Sequence, residues 1–327
     1  SQDDVILADG FEQRILISYG DAINAYDTFG FNNDFIAFMP QGQSQGIMWV
    51  NHEYPNPLLI HGNPGPIKTK DQVDQEMDAV GGSILHLSKI DGQWVVEPMH
   101  KDNYRVNAHS KIPLNAARPI AGAQTAIGTH SNCAGGMTSW GTFLTCEENY
   151  QDMVGDYLSY ENPEVVEHSK YSLGWRRHYE YPPSHYGWVV EIDVPKKTAQ
   201  KLTSLGRFSH ESATCMQARD GRTVGYMGDD KKSECIYKFI SEKPNSLATG
   251  TLYVANTEEG RWVALDYKQS PELQKQFKDQ TDVLIWTRLA AKMLGGTPQH
   301  RPEDIAINPQ NNNVIVASTN DRGNNDP

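Results

Sequence analysis

Little in this chain points toward lipid or nucleic acid. It has no run of about 18 apolar residues, so no transmembrane helix is expected. It has no basic surplus either: 29 Lys and Arg face 41 Asp and Glu, a formal charge of −12. That balance argues against nucleic acid and anionic membrane as partners. Cysteine is scarce, with Cys133, Cys146, Cys215 and Cys235 alone among 327 residues. None forms a C-x-x-C pair, which argues against a structural zinc site and against a disulfide scaffold, while one bridge stays open. The G-x-S-x-G elbow, the G-x-x-x-x-G-K-[ST] loop and H-E-x-x-H are all missing, so the corresponding hydrolase, nucleotide and zinc-protease chemistries lack support. The first four residues carry no basic and apolar leader, which fits a cytosolic protein or one whose leader has been removed.

What is present is strand grammar. Apolar runs at 15–19, 35–39 and 46–50 end in turn residues, and runs at 83–90 and 93–96 flank Asp91-Gly92, a strong hairpin signal. Further strands are expected at 187–192, 222–227 after Asp220-Gly221, 234–240, 250–255, 261–265, 304–307 and 313–318. Many short strands with regular turns suit a sandwich, a barrel or a propeller. A unit recurring every roughly 40–60 residues favours the propeller. Helix signals are few. Ser270 reads as an N-cap with Pro271 at the first helical position, and 281–293 reads as a second helix. The stretches 110–129 and 150–186 read as long loops, which are often functional.

Chemistry-bearing residues recur just after the strands. They include Asn51, His52 and Glu53; Asn132 and Cys133 with Glu147 and Glu148; His210 and Glu211; Asp229 and Asp230; and Arg301, Glu303 and Asp304. Any one of these is more often a solvated turn residue or, for Cys133, a core residue. In a propeller, however, one strand end of every blade faces the central channel. Carboxylates converging there repel one another unless cations neutralise them. One thiolate among many carboxylates suits an oxygen-rich iron site, with calcium at all-oxygen positions. Arg301 matches phosphate with a two-pronged fork, and a plain salt bridge to Glu303 or Asp304 is the simpler role for it. His52 and His210 could serve as general acids or as structural histidines.

These stretches resemble the PhoX-type bacterial alkaline phosphatases. The resemblance rests on W-V-N-H-E-Y at 49–54, S-N-C-A-G-G at 131–136 running to C-E-E-N at 146–149, G-R-F-S-H-E at 206–211, Y-M-G-D-D at 226–230 and R-P-E-D at 301–304. It implies an all-β fold, a single six-bladed β-propeller domain over 1–327 with long loop insertions and a few short helices. It implies hydrolysis of small phosphomonoesters at alkaline pH, an iron (Fe3+) pair with calcium (Ca2+) ions, and twin-arginine export to the periplasm or beyond. By motif, Cys133 is the implied iron thiolate, and Glu211 and Glu303 are implied metal carboxylates. Glu147, Glu148, Glu53 and Asn132 are implied as calcium ligands or groups around them, with Asn132 also at the substrate. Arg301 is the implied phosphate clamp, with Glu303 beside it in catalysis. Members of the family continue past the segment matching 317–320, so a closing blade and a further metal-binding Asp are expected from a missing segment or a second chain. Two other readings are a calcium-dependent propeller lactonase or phosphotriesterase, for which a thiolate has no use, and a non-enzymatic propeller that binds protein or glycan.

Overall fold

The computed structural model describes residues 5–62, 65, 67–167 and 172–319. The expectations placed on 320–327 lie outside the described residues. The chain is mostly β with few helices, as its strand grammar requires.

Three antiparallel sheets dominate. The first orders Asn33–Pro40, Gln45–His52, Gly81–Ile90 and Gln93–Val96 as a meander, with Tyr104–Val106 also pairing Gly81–Ile90. Its Asp91-Gly92 hairpin forms because both turn residues take positive φ, 49° and 82°, which Asp tolerates and Gly adopts freely. The second sheet orders Asn132–Met137, Phe143–Glu147, Val189–Asp193 and Thr198–Lys201. The third orders Thr214–Gln217, Arg222–Gly228, Ile236–Pro244, Gly250–Asn256 and Arg261–Ala264. A two-stranded pair, Pro302–Ile307 with Val314–Ser318, follows.

The leading strands of these sheets lie against one another in chain order. Asn33–Pro40 packs on Asn132–Met137, which packs on Thr214–Gln217, which packs on Pro302–Ile307. Glycine makes one of these approaches possible, and also the approach of strand Arg222–Gly228 to Pro302–Ile307. A Cβ on Gly136 would sit 2.1 Å from the Ala213 carbonyl oxygen, and one on Gly228 would sit 2.2 Å from that of Pro302. Outward from these strands lies the main core, which includes Leu144, Cys146, Val189, Phe208, Phe239 and Leu252, all fully or almost fully buried.

Three expectations change. Residues 15–19 form no strand: the Ser18 N–H donates to the Asp21 carboxylate, and the chain turns there. The 281–293 helix is two, Gln280–Ile285 and Thr287–Met293, broken at Trp286. Its partner Pro271–Gln276 forms as expected, with the Ser270 hydroxyl accepting from the Leu273 N–H at 3.3 Å. The stretch 150–186 is largely packed. Tyr150, Met153, Trp175 and Tyr186 join Val73, Met77 and Ala108 in one core cluster, so burial against distant residues holds a stretch whose strand pairing is limited to Asp156–Tyr157 with Val165–Val166. All four cysteines are free thiols, which closes the question of a bridge.

Candidate metal and phosphate site

The site begins with two irregular strands. Between Asn33 and Ile36 the first strand loses register, and between Asn132 and Gly135 the second sheet does the same. Bulges of this kind re-aim side chains. They turn Asp34 and Cys133 toward each other, so that the Cys133 thiol lies 3.1 Å from Asp34 Oδ2 and 3.1 Å from Glu211 Oε1. Asn51 fixes the second bulge from behind. Its amide nitrogen donates to the carbonyls of Cys133 and Ala134 at 2.6 and 2.9 Å. Its Oδ1 accepts from the Trp49 indole at 2.6 Å and the Thr145 hydroxyl at 2.8 Å. With all of its polar atoms committed in a fully buried setting, Asn51 is a positioning residue for Cys133.

Around the thiol, the donor atoms of Asp34 and Glu53 on one side, and of Glu148 and Glu211 on the other, lie within 4.8 Å of it and of one another within each group. Glu148 is set by its backbone N–H, which donates to the Ser131 carbonyl at 2.9 Å, where Ser131 holds an unusual φ of 53°. Glu211 follows the bridge that pairs His210 with Asp229. The Arg301 guanidinium acts on Glu148, but it is itself paired with Asp230 and Glu303. Burial first, and neighbouring carboxylates after it, push Glu148 up to about 10 and Glu53 and Glu211 up to about 7. The Cys133 thiol is pushed far up by burial and by Glu211, Glu148 and Glu53. Several carboxylates and one thiol gathered where burial and mutual repulsion raise their pKa values have the chemistry of a cation site.

Beside it stands Arg301, at a φ of 42°. Its Nε and Nη2 donate to the two oxygens of Asp230 at 2.9 and 2.7 Å, and Nη2 also reaches Glu303 Oε1 at 3.1 Å. Asp230 is in turn placed by its backbone N–H on the Ser209 carbonyl, 3.0 Å away. Gly228 and the Pro302 backbone in close contact bring these two strand ends together. The guanidinium is therefore held from one side and keeps its outer edge, including Nη1, for a ligand.

Of the residues expected from sequence, Cys133, Glu148, Glu211 and Glu53 converge, and Arg301 with Glu303 stands alongside. Glu147 does not join them. Adjacent residues of an extended chain point to opposite sides, so Glu147 enters the core where Glu148 enters the site. There its carboxylate takes the Lys201 ammonium at 2.6 Å and the Trp188 N–H at 3.1 Å, with both side chains fully buried. Asn132 is also fully buried, its amide nitrogen on the hydroxyls of Thr129 and Thr145 at 2.9 Å each, while its Oδ1 meets no hydrogen-bond partner among the described residues. Arg301 does make an ion pair with Glu303, yet its bidentate partner is Asp230 rather than Asp304.

His52 and His210 are structural. His52 Nε2 meets Ser83 Oγ at 2.8 Å and its ring packs edge-on against Phe29; His210 Nε2 meets the Gly206 carbonyl at 2.8 Å and its ring stacks on Phe208. Burial holds both well below the ordinary imidazole range, His210 at about 4. Asp34 and Asp230 are the acidic groups the sequence did not single out as ligands. The D-D doublet after a strand was a signal for Asp230. Asp34 had none, because a lone Asp ahead of an apolar run looks like any strand start.

No curated protein matches this chain. A solved structure described as Pseudomonas fluorescens PhoX in complex with vanadate, a transition state analogue, superposes with a TM-score of 0.83 at 29% identity, over 94% of this chain and 64% of that one. The chain thus spans about two thirds of that protein's length. The family model for alkaline phosphatase PhoX matches residues 1–327, and the chain belongs to that family.

Proposed function

We propose that the protein is a metal-dependent alkaline phosphatase that hydrolyses phosphate monoesters and releases inorganic phosphate. The observation that carries this reading is a carboxylate–thiol cluster with a guanidinium fixed beside it, in a chain of the PhoX family. The vanadate complex of the Pseudomonas protein adds support, since that ligand is described as a transition state analogue.

The donor set fits the implied metals. Cys133 with Glu211 offers thiolate and carboxylate for Fe3+, and Asp34, Glu53, Glu148 and Glu303 offer the hard oxygen that Ca2+ takes. Such cations, when bound, neutralise phosphoryl oxygens and act as Lewis acids toward the ester. Arg301 orients the phosphoryl group through its outer N–H donors, and Asp230 keeps the guanidinium from turning away. Glu303 adds a second anchor to the same fork. Asn51 holds the thiol in place, so Cys133 presents to the metal without reorganisation.

The finer architecture belongs to the same proposal. A six-bladed propeller is supported by meander sheets whose leading strands pack in series, although the sheets of the structure stand open and separate. Completion of the ring by a further segment or a second chain is supported by the greater length of the Pseudomonas protein. Periplasmic or extracellular location by twin-arginine export rests on the family resemblance, and the exclusion of nucleic acid and membrane rests on the charge of −12. The calcium-only lactonase or phosphotriesterase is disfavoured by a thiol at the centre of the cluster. The deciding experiment is elemental analysis of the purified protein together with p-nitrophenyl phosphate hydrolysis at alkaline pH. Iron and calcium with turnover support the reading; a metal-free protein that turns over equally well refutes it.

A further inference from the structure

A cleft of about 310 Å³ is walled by Tyr150, Tyr157, Tyr160, Arg207, Trp286 and Arg288. Three short stretches of chain tie its walls to the carboxylate cluster and to Arg301. Tyr150 follows Glu148 by two residues, and its hydroxyl donates to Asp156 Oδ2 at 2.9 Å. Asp229 precedes the Asp230 that grips Arg301, and it takes Arg288: Nε and Nη2 donate to its two oxygens at 2.7 and 2.6 Å. Ser209, two residues before Glu211, accepts from Arg288 Nη2 on its hydroxyl at 3.1 Å and from the Asp230 N–H on its carbonyl at 3.0 Å. The Arg301 clamp and the Arg288 wall therefore share one support, Ser209 with Asp229-Asp230, in which consecutive Cα atoms are about 3.8 Å apart.

The charged groups of the wall are neutralised in pairs. Arg207 meets Asp156 at 2.7 Å, Arg288 meets Asp229 at 2.6 Å and Lys292 meets Glu234 at 2.9 Å. The cleft thus offers little to a second phosphate and more to a neutral group. Its exposed surface is largely aromatic. Tyr157, Tyr160 and Trp286 are all half-buried, with the Trp286 ring centre 5.7 Å from that of Tyr157 and 5.4 Å from that of Tyr160. Arg207 is committed to the structure, its side chain 5% exposed and its Nε on the Tyr186 carbonyl at 2.9 Å. Arg288 is 22% exposed, and its Nη1 donates to no described residue. The Trp286 indole N–H likewise meets no acceptor among the described residues. Aromatic rings, a flat guanidinium and two N–H donors without partners suit a planar heteroaromatic ring with acceptor atoms on its edge. An aliphatic alcohol would use none of these features.

We propose that this cleft is a leaving-group subsite, in which Trp286, Tyr157, Tyr160 and Arg288 hold the base of a nucleoside monophosphate while Arg301 holds its phosphate. The inference rests on the phosphatase reading and names a substrate class for it. A mononucleotide differs from nucleic acid here, because only one phosphate has to be accommodated by an acidic protein.

The test uses the metal-loaded enzyme at alkaline pH, with adenosine monophosphate and glycerol phosphate as substrates and adenosine as a phosphate-free probe. The wild type should prefer adenosine monophosphate through a lower KM, and adenosine should bind by calorimetry and inhibit competitively. Trp286→Phe keeps a ring and removes the N–H donor, while Trp286→Leu removes the ring as well. The ratio of kcat/KM for adenosine monophosphate over glycerol phosphate should fall about threefold in the first and about tenfold in the second, mainly through KM, with adenosine binding weakened in step. A merely structural role would lower both substrates alike and leave the ratio unchanged. Equal kcat/KM for the two esters in the wild type, an unchanged ratio in the variants, or no adenosine binding overturns the subsite. A wild type that hydrolyses neither ester overturns the phosphatase reading instead, and adenosine binding then decides the cleft by itself.

Discussion

Replacing Lys201 by methionine keeps the reach of the side chain but removes the ammonium that neutralises Glu147 in the core. In the native protein that ammonium lies 2.6 Å from Glu147 Oε1, donates to the His185 carbonyl at 2.8 Å and sits 4.2 Å from the centre of the Tyr186 ring. Breaking a buried pair by removing one partner leaves an uncompensated charge and costs about 3–5 kcal/mol. Unfolding entropy of roughly 2.1 cal/mol/K per residue implies a melting temperature lower by about 4–7 °C for a chain this long. The penalty should depend on pH. Burial already raises Glu147 above the ordinary glutamate value, and Lys201 is the largest influence holding it down. Without Lys201 the folded-state value rises further. The Lys201→Met protein should therefore approach wild-type stability below the unfolded glutamate pKa and lose it as pH rises. Adding Glu147→Gln should restore most of the loss, since the amide carbonyl still accepts from the Trp188 N–H. Thermal unfolding followed by circular dichroism, with metal content measured in parallel, checks this. A pH-independent change under about 1 kcal/mol, or a Glu147→Gln protein that keeps its stability and loses a metal ion, would refute the reasoning and return Glu147 to the metal site.

Other outcomes follow from the site itself. Cys133→Ser should lose most of its iron and its activity while keeping its fold, and full iron with full activity would make Cys133 structural. Arg301→Lys keeps the charge but not the fork, so transition-state stabilisation should fall by about 2–4 kcal/mol and phosphate inhibition should weaken. Wild-type phosphate inhibition in that variant would remove Arg301 from the site. Gly228→Ala places a Cβ 2.2 Å from the Pro302 carbonyl and 2.6 Å from that of Glu303, which must push Arg301 and Glu303 away, and turnover should drop with little loss of metal at Cys133. The metal-free protein should be most stable near pH 5 and weaken as pH climbs through about 7 toward 10. Glu53, Glu211 and Glu148, whose folded pKa values lie above the unfolded ones, lose their protons over that range. Selective calcium removal should abolish hydrolysis, calcium should restore it, and the metal-loaded protein should show no such decline in stability with pH.

Local rules made much of this protein legible from its residues. The Asp91-Gly92 and Asp220-Gly221 hairpins, the Ser270 cap and most strands follow from turn chemistry and alternation, which act over a few residues. The site motifs were legible for a similar reason, because Cys133, Glu148, Glu211 and Arg301 sit in compact strand-end stretches of distinctive composition. Tertiary structure decided the rest. Only packing shows that two register shifts aim Asp34 and Cys133 at each other, since a bulge depends on the partner strand as much as on its own sequence. The fate of the Glu147-Glu148 pair turns on which side of a strand meets the core, and the core partner, Lys201, lies 54 residues away in sequence. The burial of 150–186 likewise rests on aromatic contacts with distant elements rather than on any periodic pattern. Sequence supplied the donor groups. Long-range packing chose which of them converge and which are neutralised elsewhere.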